Sequence, residues 1–310
     1  MRDGRTLWAG GALAAGLLAL AACAPVQPPR APAPMAAPPP APVASAASQA
    51  LSARYAAVQA RLLDNGLLRT DGGGEDTPFT DAMLARAFLS VAFFEEFSGG
   101  EITGQRNAIP LQRWNGPIRV SLQIGASVPP DQAAADRVMV SSYLARLSRL
   151  TGLPITLNAS NPNFFIHIGS LEERAALGPK IAAEMPGLTD SQLAAATHMP
   201  DSAYCQVLSQ SDGDSPIYTR AAAVIPAEHP LLLMQTCLHE ELAQALGLPN
   251  DSNIARPSIF NDDQEFALLT RMDELMLRIL YSPDLRPGMT AEEARPVVES
   301  LATRLMDGQT

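Results

Sequence analysis

The side chains best placed to do chemistry cluster between Pro230 and Asp251: His239-Glu240-Glu241, then Gln244, then Asn250-Asp251. Carboxylates and an imidazole this close together can hold a metal ion, activate water as a general base, or hydrogen-bond across a cleft. The stretch that must position them reads as one helix. Pro230 suits a first turn, where its missing N–H is not needed, and Gly247 followed by Pro249 supplies a stop. Met234, Leu238, Leu242 and Ala245 recur at helical spacing and form one apolar stripe. At about 100° per residue, Glu241 falls on that stripe, while His239, Glu240 and Gln244 fall on the other side. A carboxylate on a buried face is costly unless it is paired or hydrogen-bonded, so Glu241 is the residue that most demands an explanation.

His239-Glu240 opens like the zinc-protease motif HExxH, but the second ligand position, four residues on, is Ala243. One residue along, Glu240-Glu241-x-x-Gln244-x-x-Gly247-x-x-Asn250 resembles the matrixin-type metzincin signature HExxHxxGxxH, whose helix ends at the same glycine. The resemblance implies that Glu241 stands at the general-base glutamate and Glu240, Gln244 and Asn250 at the three histidine ligands. All three imidazoles are missing. Pro257-Ser258-Ile259-Phe260-Asn261 resembles the metzincin Met-turn with Phe260 in place of the methionine, and Phe266 to Tyr281 resembles the closing helix of such domains. Residues 110 to 285 as a whole are also similar to a bacterial lipoprotein family catalogued only as a domain of unknown function, a likeness that carries no established activity.

Zinc prefers imidazole, thiolate or carboxylate, and a neutral amide oxygen is a poor ligand for it. Glu240 and Gln244, one turn apart, can face a common point, with Asn250 and Asp251 arriving after the glycine turn. An oxygen-only set suits calcium or magnesium better than zinc. The favoured expectation is a degenerate site, with no metal assigned and no cofactor, in which Glu240, Gln244 and Asn250 bond across the old position and Glu241 bonds to backbone or to an arginine such as Arg256. One alternative is a peptidase in which Glu241 activates water on a metal held by Glu240 and Asp251. The other is a structural divalent cation held by oxygens that include Asp262, Asp263 or Glu265. His167, His198 and His229 have no ligand spacing, Ser252 and Ser258 sit in no G-x-S-x-G elbow, and Gly72-Gly73-Gly74 lacks the Gly-Lys-Ser/Thr ending of a phosphate loop.

At 310 residues and 47% hydrophobic, the chain can build a real core. A net charge of −10 argues against nucleic acid as a partner. Arg2 and Arg5, the apolar run Ala12 to Leu20, and Leu20-Ala21-Ala22-Cys23 read as a lipoprotein signal peptide over 1–22, with Cys23 the acylated first residue of the mature chain. No aspartate follows Cys23, so the expected location is the periplasmic face of the outer membrane. Residues 23–47 are a Pro/Ala-rich tether, extended at about 3 Å per residue. Cys205 and Cys237 remain in an exported chain; a disulfide is the natural reading, with two buried thiols as the alternative.

Residues 48–106 form an N-terminal helical segment: an amphipathic helix over 48–66 carrying Leu51, Tyr55, Val58 and Leu62, and a second over about 81–97 capped by Thr80 or Asp81. Residues 107–310 hold the main domain. Strands are expected at 117–124, 155–157, 164–168, 204–208 and 220–226, a helix at 131–151, a helical insertion at 170–200, the central helix, and a last helix from Thr290 with Glu293 completing a capping box. The expected fold is α+β, a metzincin-like domain with a mixed sheet of about five strands, a long central helix and a closing C-terminal helix, behind a small N-terminal helical cap. The expected role is binding or scaffolding in the cell envelope, with a peptide or protein partner along the sheet edge.

Overall fold

Helix caps open the first two helices. The computed structural model describes residues 44–98, 101–157, 159–200, 203–261 and 263–308; the signal segment 1–22, Cys23, most of the tether and Asp262 lie outside the described residues. Ser45 accepts the Ser48 N–H and opens α1 (Ala46–Asp64), so the helix begins two residues inside the expected tether. Thr80 caps α2 (Asp81–Ala92) through the Met83 N–H. This helix ends five residues earlier than its composition predicts, because Phe94 opens an antiparallel hairpin, β1 (Phe94–Ser98) and β2 (Glu101–Ala108).

The main sheet follows. Its elements in chain order are β3 (Arg113–Trp114), β4 (Ile118–Ile124), α3 (Pro130–Thr151), β5 (Ile155–Leu157), β6 (Phe164–Gly169), the short helices α4 (Leu171–Ala175), α5 (Gly178–Glu184) and α6 (Asp190–Thr197), then β7 (Gln206–Ser211) and β8 (Ile217–Pro226). β4 pairs in parallel with β5 and β6, and β8 pairs in parallel with β6 and β3. β7 runs antiparallel along β8. The sheet is therefore mixed, as expected, with β3 as a short sixth strand. Every residue of β6 is buried, the pattern of a parallel strand covered on both faces. Phe164, Ile166 and Ile168 enter the large core with α3, while Phe165 packs on the other face with Ile181, Met185 and Ala196 of the 170–200 insertion.

The chain then forms α7 (Leu231–Gln244), α8 (Arg271–Leu280) and α9 (Ala291–Asp307). α8 starts five residues later than the sequence pattern predicts. Phe266 and Ala267 are drawn into a bridge with Arg69, whose carbonyl accepts the Ala267 N–H at 2.9 Å, and Thr270 forms the cap with Asp273. Thr290 and Glu293 form the expected capping box of α9. The described residues form one compact unit.

The carbonyls of Ala245 and Leu246, just past the end of α7, are met by side chains from elsewhere. Trp114 Nε1 donates to Ala245 O at 2.8 Å, and the Tyr281 hydroxyl donates to Leu246 O at 2.7 Å. Gly247 follows with φ +119°, and a Cβ there would lie 2.2 Å from Gln112 O. Gly247→Ala therefore meets both a backbone clash and a disfavoured φ, and should lower unfolding free energy in urea by about 2 kcal/mol or more. Cys205 and Cys237 are bonded across a separation of 32 residues, tying the approach to β7 onto α7. Reduction should lower stability by about 3–4 kcal/mol on loop-entropy grounds, read as the shift between urea curves with and without reductant.

Candidate functional site

On α7, positions 233, 236, 237, 240, 241 and 244 share one face. That face is the wall of a cleft of about 320 Å³, facing the segment that leads into β7 and the loop after Asn250. Glu240, Glu241, Gln244 and Asp251 line it, together with Gln206, Asn261 and Gln264, over an apolar floor that includes Leu68, Ile259 and Phe266. The expectation that Glu241 faces one way and Glu240 and Gln244 the other needs correction. The edge between buried and open surface runs along this face, so Glu241 is 6% exposed and still borders the cleft. Gln244 Nε2 lies 3.4 Å from Asp251 Oδ1.

His239 is the residue that goes the other way. Its ring stacks on Tyr143 at 4.0 Å between centroids, Nδ1 accepts the Leu269 N–H at 2.9 Å, and its carbonyl accepts the Tyr143 hydroxyl at 2.6 Å. Helical spacing sets it opposite the apolar stripe; an imidazole is nevertheless apolar enough to bury when it is neutral and its acceptor nitrogen is used. Burial pulls its pKa down to about 3, with Arg146 acting in the same direction. His229, at the start of α7, is pulled down to about 4, chiefly by burial, while its bond to the Tyr204 carbonyl opposes the shift.

Asn250 also leaves the cleft. Its Nδ2 donates to Ser90 O at 2.9 Å and to Asp251 O at 2.7 Å, so the side chain bonds to the end of α2 rather than across the cleft to Glu240 and Gln244 as expected. Phe260 is fully buried, while its neighbours Ile259 and Asn261 form the cleft wall. Arg256, considered as a partner for Glu241, instead holds Glu265 through two bonds of 2.6 and 3.0 Å, and Arg69 adds a third contact at 3.1 Å. These guanidiniums keep Glu265 below the usual carboxylate range. Asp263 accepts the Glu265 N–H at 2.9 Å and so shapes a turn. Asn261, Gln264, Gln206 and Thr236 were not legible as site residues. Asn261 and Gln264 sit in an aperiodic loop, where Gln264 adopts φ +55°.

The cleft offers carboxylate and amide groups, and among the described residues its lining contains no Lys, Arg or His. Among the described residues, no three His, Cys, Asp or Glu side chains converge closely enough to hold a metal ion. Such a surface accepts hydrogen bonds and attracts positive charge; it holds no imidazole for general acid–base work near pH 7.

The depressed His239 gives a pH signature. Between about pH 3 and 6.5 the unfolded chain binds a proton at this imidazole and the folded chain does not. Its contribution is therefore fully present above 6.5 and is lost as the pH falls through that window. In His239→Gln, which keeps an acceptor for Leu269, that dependence disappears. The stability advantage of the native chain over this variant should shrink by up to about 1.4 kcal/mol per pH unit below 6.5, measured by urea unfolding across a pH series.

No curated protein and no solved structure matches the chain. The family described as a protein of unknown function, DUF2927, matches residues 81–300, from the first residue of α2 into α9, a span that contains the whole main sheet and α7. That match covers more than half of the 310 residues, and the chain belongs to the DUF2927 family.

Proposed function

We propose that this is a lipid-anchored cell-envelope protein whose main domain is a metzincin-like scaffold turned from catalysis to binding. The observation that carries this reading is the occupancy of the α7 cleft: Glu240, Glu241, Gln244 and Asp251 border it, while the only imidazole of the motif, His239, is stacked on Tyr143 in the core. The order of strand, helix, strands and glycine-terminated central helix supports the scaffold. So does β7, the antiparallel strand that pairs with β8 and whose first residue, Gln206, reaches the cleft. A strand in that position can take an extended peptide by edge pairing, with side chains of the peptide entering the cleft. On this reading Cys23 is acylated and the Pro/Ala-rich segment after it tethers the domain at the periplasmic face of the outer membrane, a reading supported by the Leu20-Ala21-Ala22-Cys23 sequence. Among the described residues, no helix is long and apolar enough to cross a membrane.

Elemental analysis and peptide hydrolysis on the purified mature protein test this reading. The expected result is substoichiometric metal, hydrolysis at background with or without chelator, and a Glu241→Gln variant that shifts the thermal unfolding midpoint while leaving the background hydrolysis unchanged. Stoichiometric metal, with chelator-sensitive hydrolysis abolished by Glu241→Gln, would replace it with a metal-dependent peptidase using oxygen ligands.

A further inference from the structure

A second cavity, of about 380 Å³, lies between α1, α4 and the end of α6, and shares no lining residue with the α7 cleft. Its walls are largely apolar, with Leu51, Leu171 and Met199 among them, and its charged groups are Arg54 and Arg174. That is the composition of a small-molecule site: an apolar container with a few converging polar groups.

Arg174 is the unusual member. Its guanidinium is 2% exposed, yet its hydrogen bonding is incomplete. Nε donates to Gly169 O at a long 3.3 Å, Nη1 has only the Met199 sulfur at 3.9 Å, and Nη2 makes no hydrogen bond among the described residues. A thioether is a weak acceptor, and a buried charged donor without an acceptor is costly. Glu228 balances the charge but not the bonding. Its Oε1 is held by Ser48 Oγ at 2.7 Å and the Leu171 N–H at 2.6 Å, which leaves Oε2 3.6 Å from Nη2, beyond hydrogen-bond length.

We propose that this cavity binds a small amphipathic carboxylate, its head on Arg174 and its apolar body against Leu51, Leu171 and Met199. A planar guanidinium presents paired donors that match the two oxygens of a carboxylate. Phosphate offers similar oxygens but carries more charge, and the Glu228 carboxylate close by penalises a dianion more than a monoanion. The apolar walls favour a carbon chain over a bare inorganic ion. The site is completed by α1, which contributes Leu51 and Arg54 from outside the residues matched to the family. A bound carboxylate therefore bridges α1 to α4 and stabilises the docking of the helix that follows the tether.

Calorimetric titration of the purified chain with sodium octanoate at pH 7, against sodium phosphate at equal ionic strength, tests the site. Octanoate should bind with one molecule per chain, raise the thermal midpoint, and bind at least about tenfold more tightly than phosphate. Leu51→Asp places a carboxylate on the apolar wall and should weaken octanoate binding by at least about tenfold. Arg174→Gln alone strands a buried Glu228, so the core test is the double variant Arg174→Gln/Glu228→Gln, which should fold and lose octanoate binding. Absence of octanoate binding at millimolar concentration, phosphate binding as tight as octanoate, or undiminished affinity in the double variant would each overturn the assignment.

Discussion

The cleft wall depends on one buried carboxylate. Asp273 has no solvent exposure and accepts four hydrogen bonds: from Ser258 Oγ at 2.5 Å, the Ile259 N–H at 3.1 Å, and the Thr270 N–H and hydroxyl, both at 2.8 Å. Two of those donors belong to the cap of α8 and two to the loop that carries Ile259 and Asn261 into the cleft. One side chain therefore closes a capping box and fixes the path of a loop fifteen residues upstream. Burial pushes its pKa up to about 6 while the donors pull it down. At neutral pH the anion persists because four donors converge on it, three of them on Oδ2; remove the acceptor and several buried donors are left with nothing.

The rotation of α7 about its own axis follows from contacts at both ends. Near its start, Gln59 of α1 accepts the Leu233 N–H at 3.2 Å, and the disulfide holds Cys237 to the approach of β7. At its end, Trp114 and Tyr281 take the terminal carbonyls, and Gly247 passes Gln112 at a distance no Cβ allows. Between these anchors, Tyr143 sets the side that faces the core, because its ring stacks on His239 and its hydroxyl bonds the same residue's carbonyl. Turning the helix by one residue, so that the imidazole took the place of Glu240, would carry Glu241 into the fully buried position of Leu242, and a carboxylate is far harder to bury than a neutral imidazole. The chemistry of the cleft is therefore set by which residue tolerates the core best.

Much of this was legible in the sequence where a local rule and the tertiary packing agree. The strand at 118–124, the helix ended by Gly152, the caps at Thr80 and Thr290 and the central helix between Pro230 and Gly247 all carry their own signals. The failures share one cause. Phe94 and Phe266 lie in stretches whose apolar content continues a helical pattern, but each is captured by a backbone partner distant in sequence: the β1–β2 hairpin in one case and Arg69 in the other. Pairing of that kind leaves no periodic trace. For the cleft, one-turn spacing put Glu240 and Gln244 together, while Glu241 was expected on the opposite face and lies beside them. Asn250 was misplaced because its direction depends on the end of α2, roughly 160 residues earlier, where it bonds Ser90.

The two cavities differ in sign, acidic on α7 and basic beneath α1, and the material between them is built to stay neutral. Tyr204 borders the acidic cleft, Tyr55 borders the basic cavity, and their rings meet edge-on at 6.0 Å. His229 fills the angle: its ring lies 4.1 Å from that of Tyr55, and its Nε2 bonds the Tyr204 carbonyl at 2.8 Å and approaches the Cys237 sulfur at 3.7 Å. An imidazolium here would add a buried cation beside Arg174, which already lacks acceptors, and burial holds His229 neutral. α1 lines the basic cavity through Tyr55 and reaches the edge of the acidic cleft through the contact of that ring with Tyr204. Whatever orders α1 on the domain therefore orders the boundary of the α7 cleft as well, through rigid aromatic contacts rather than through charge.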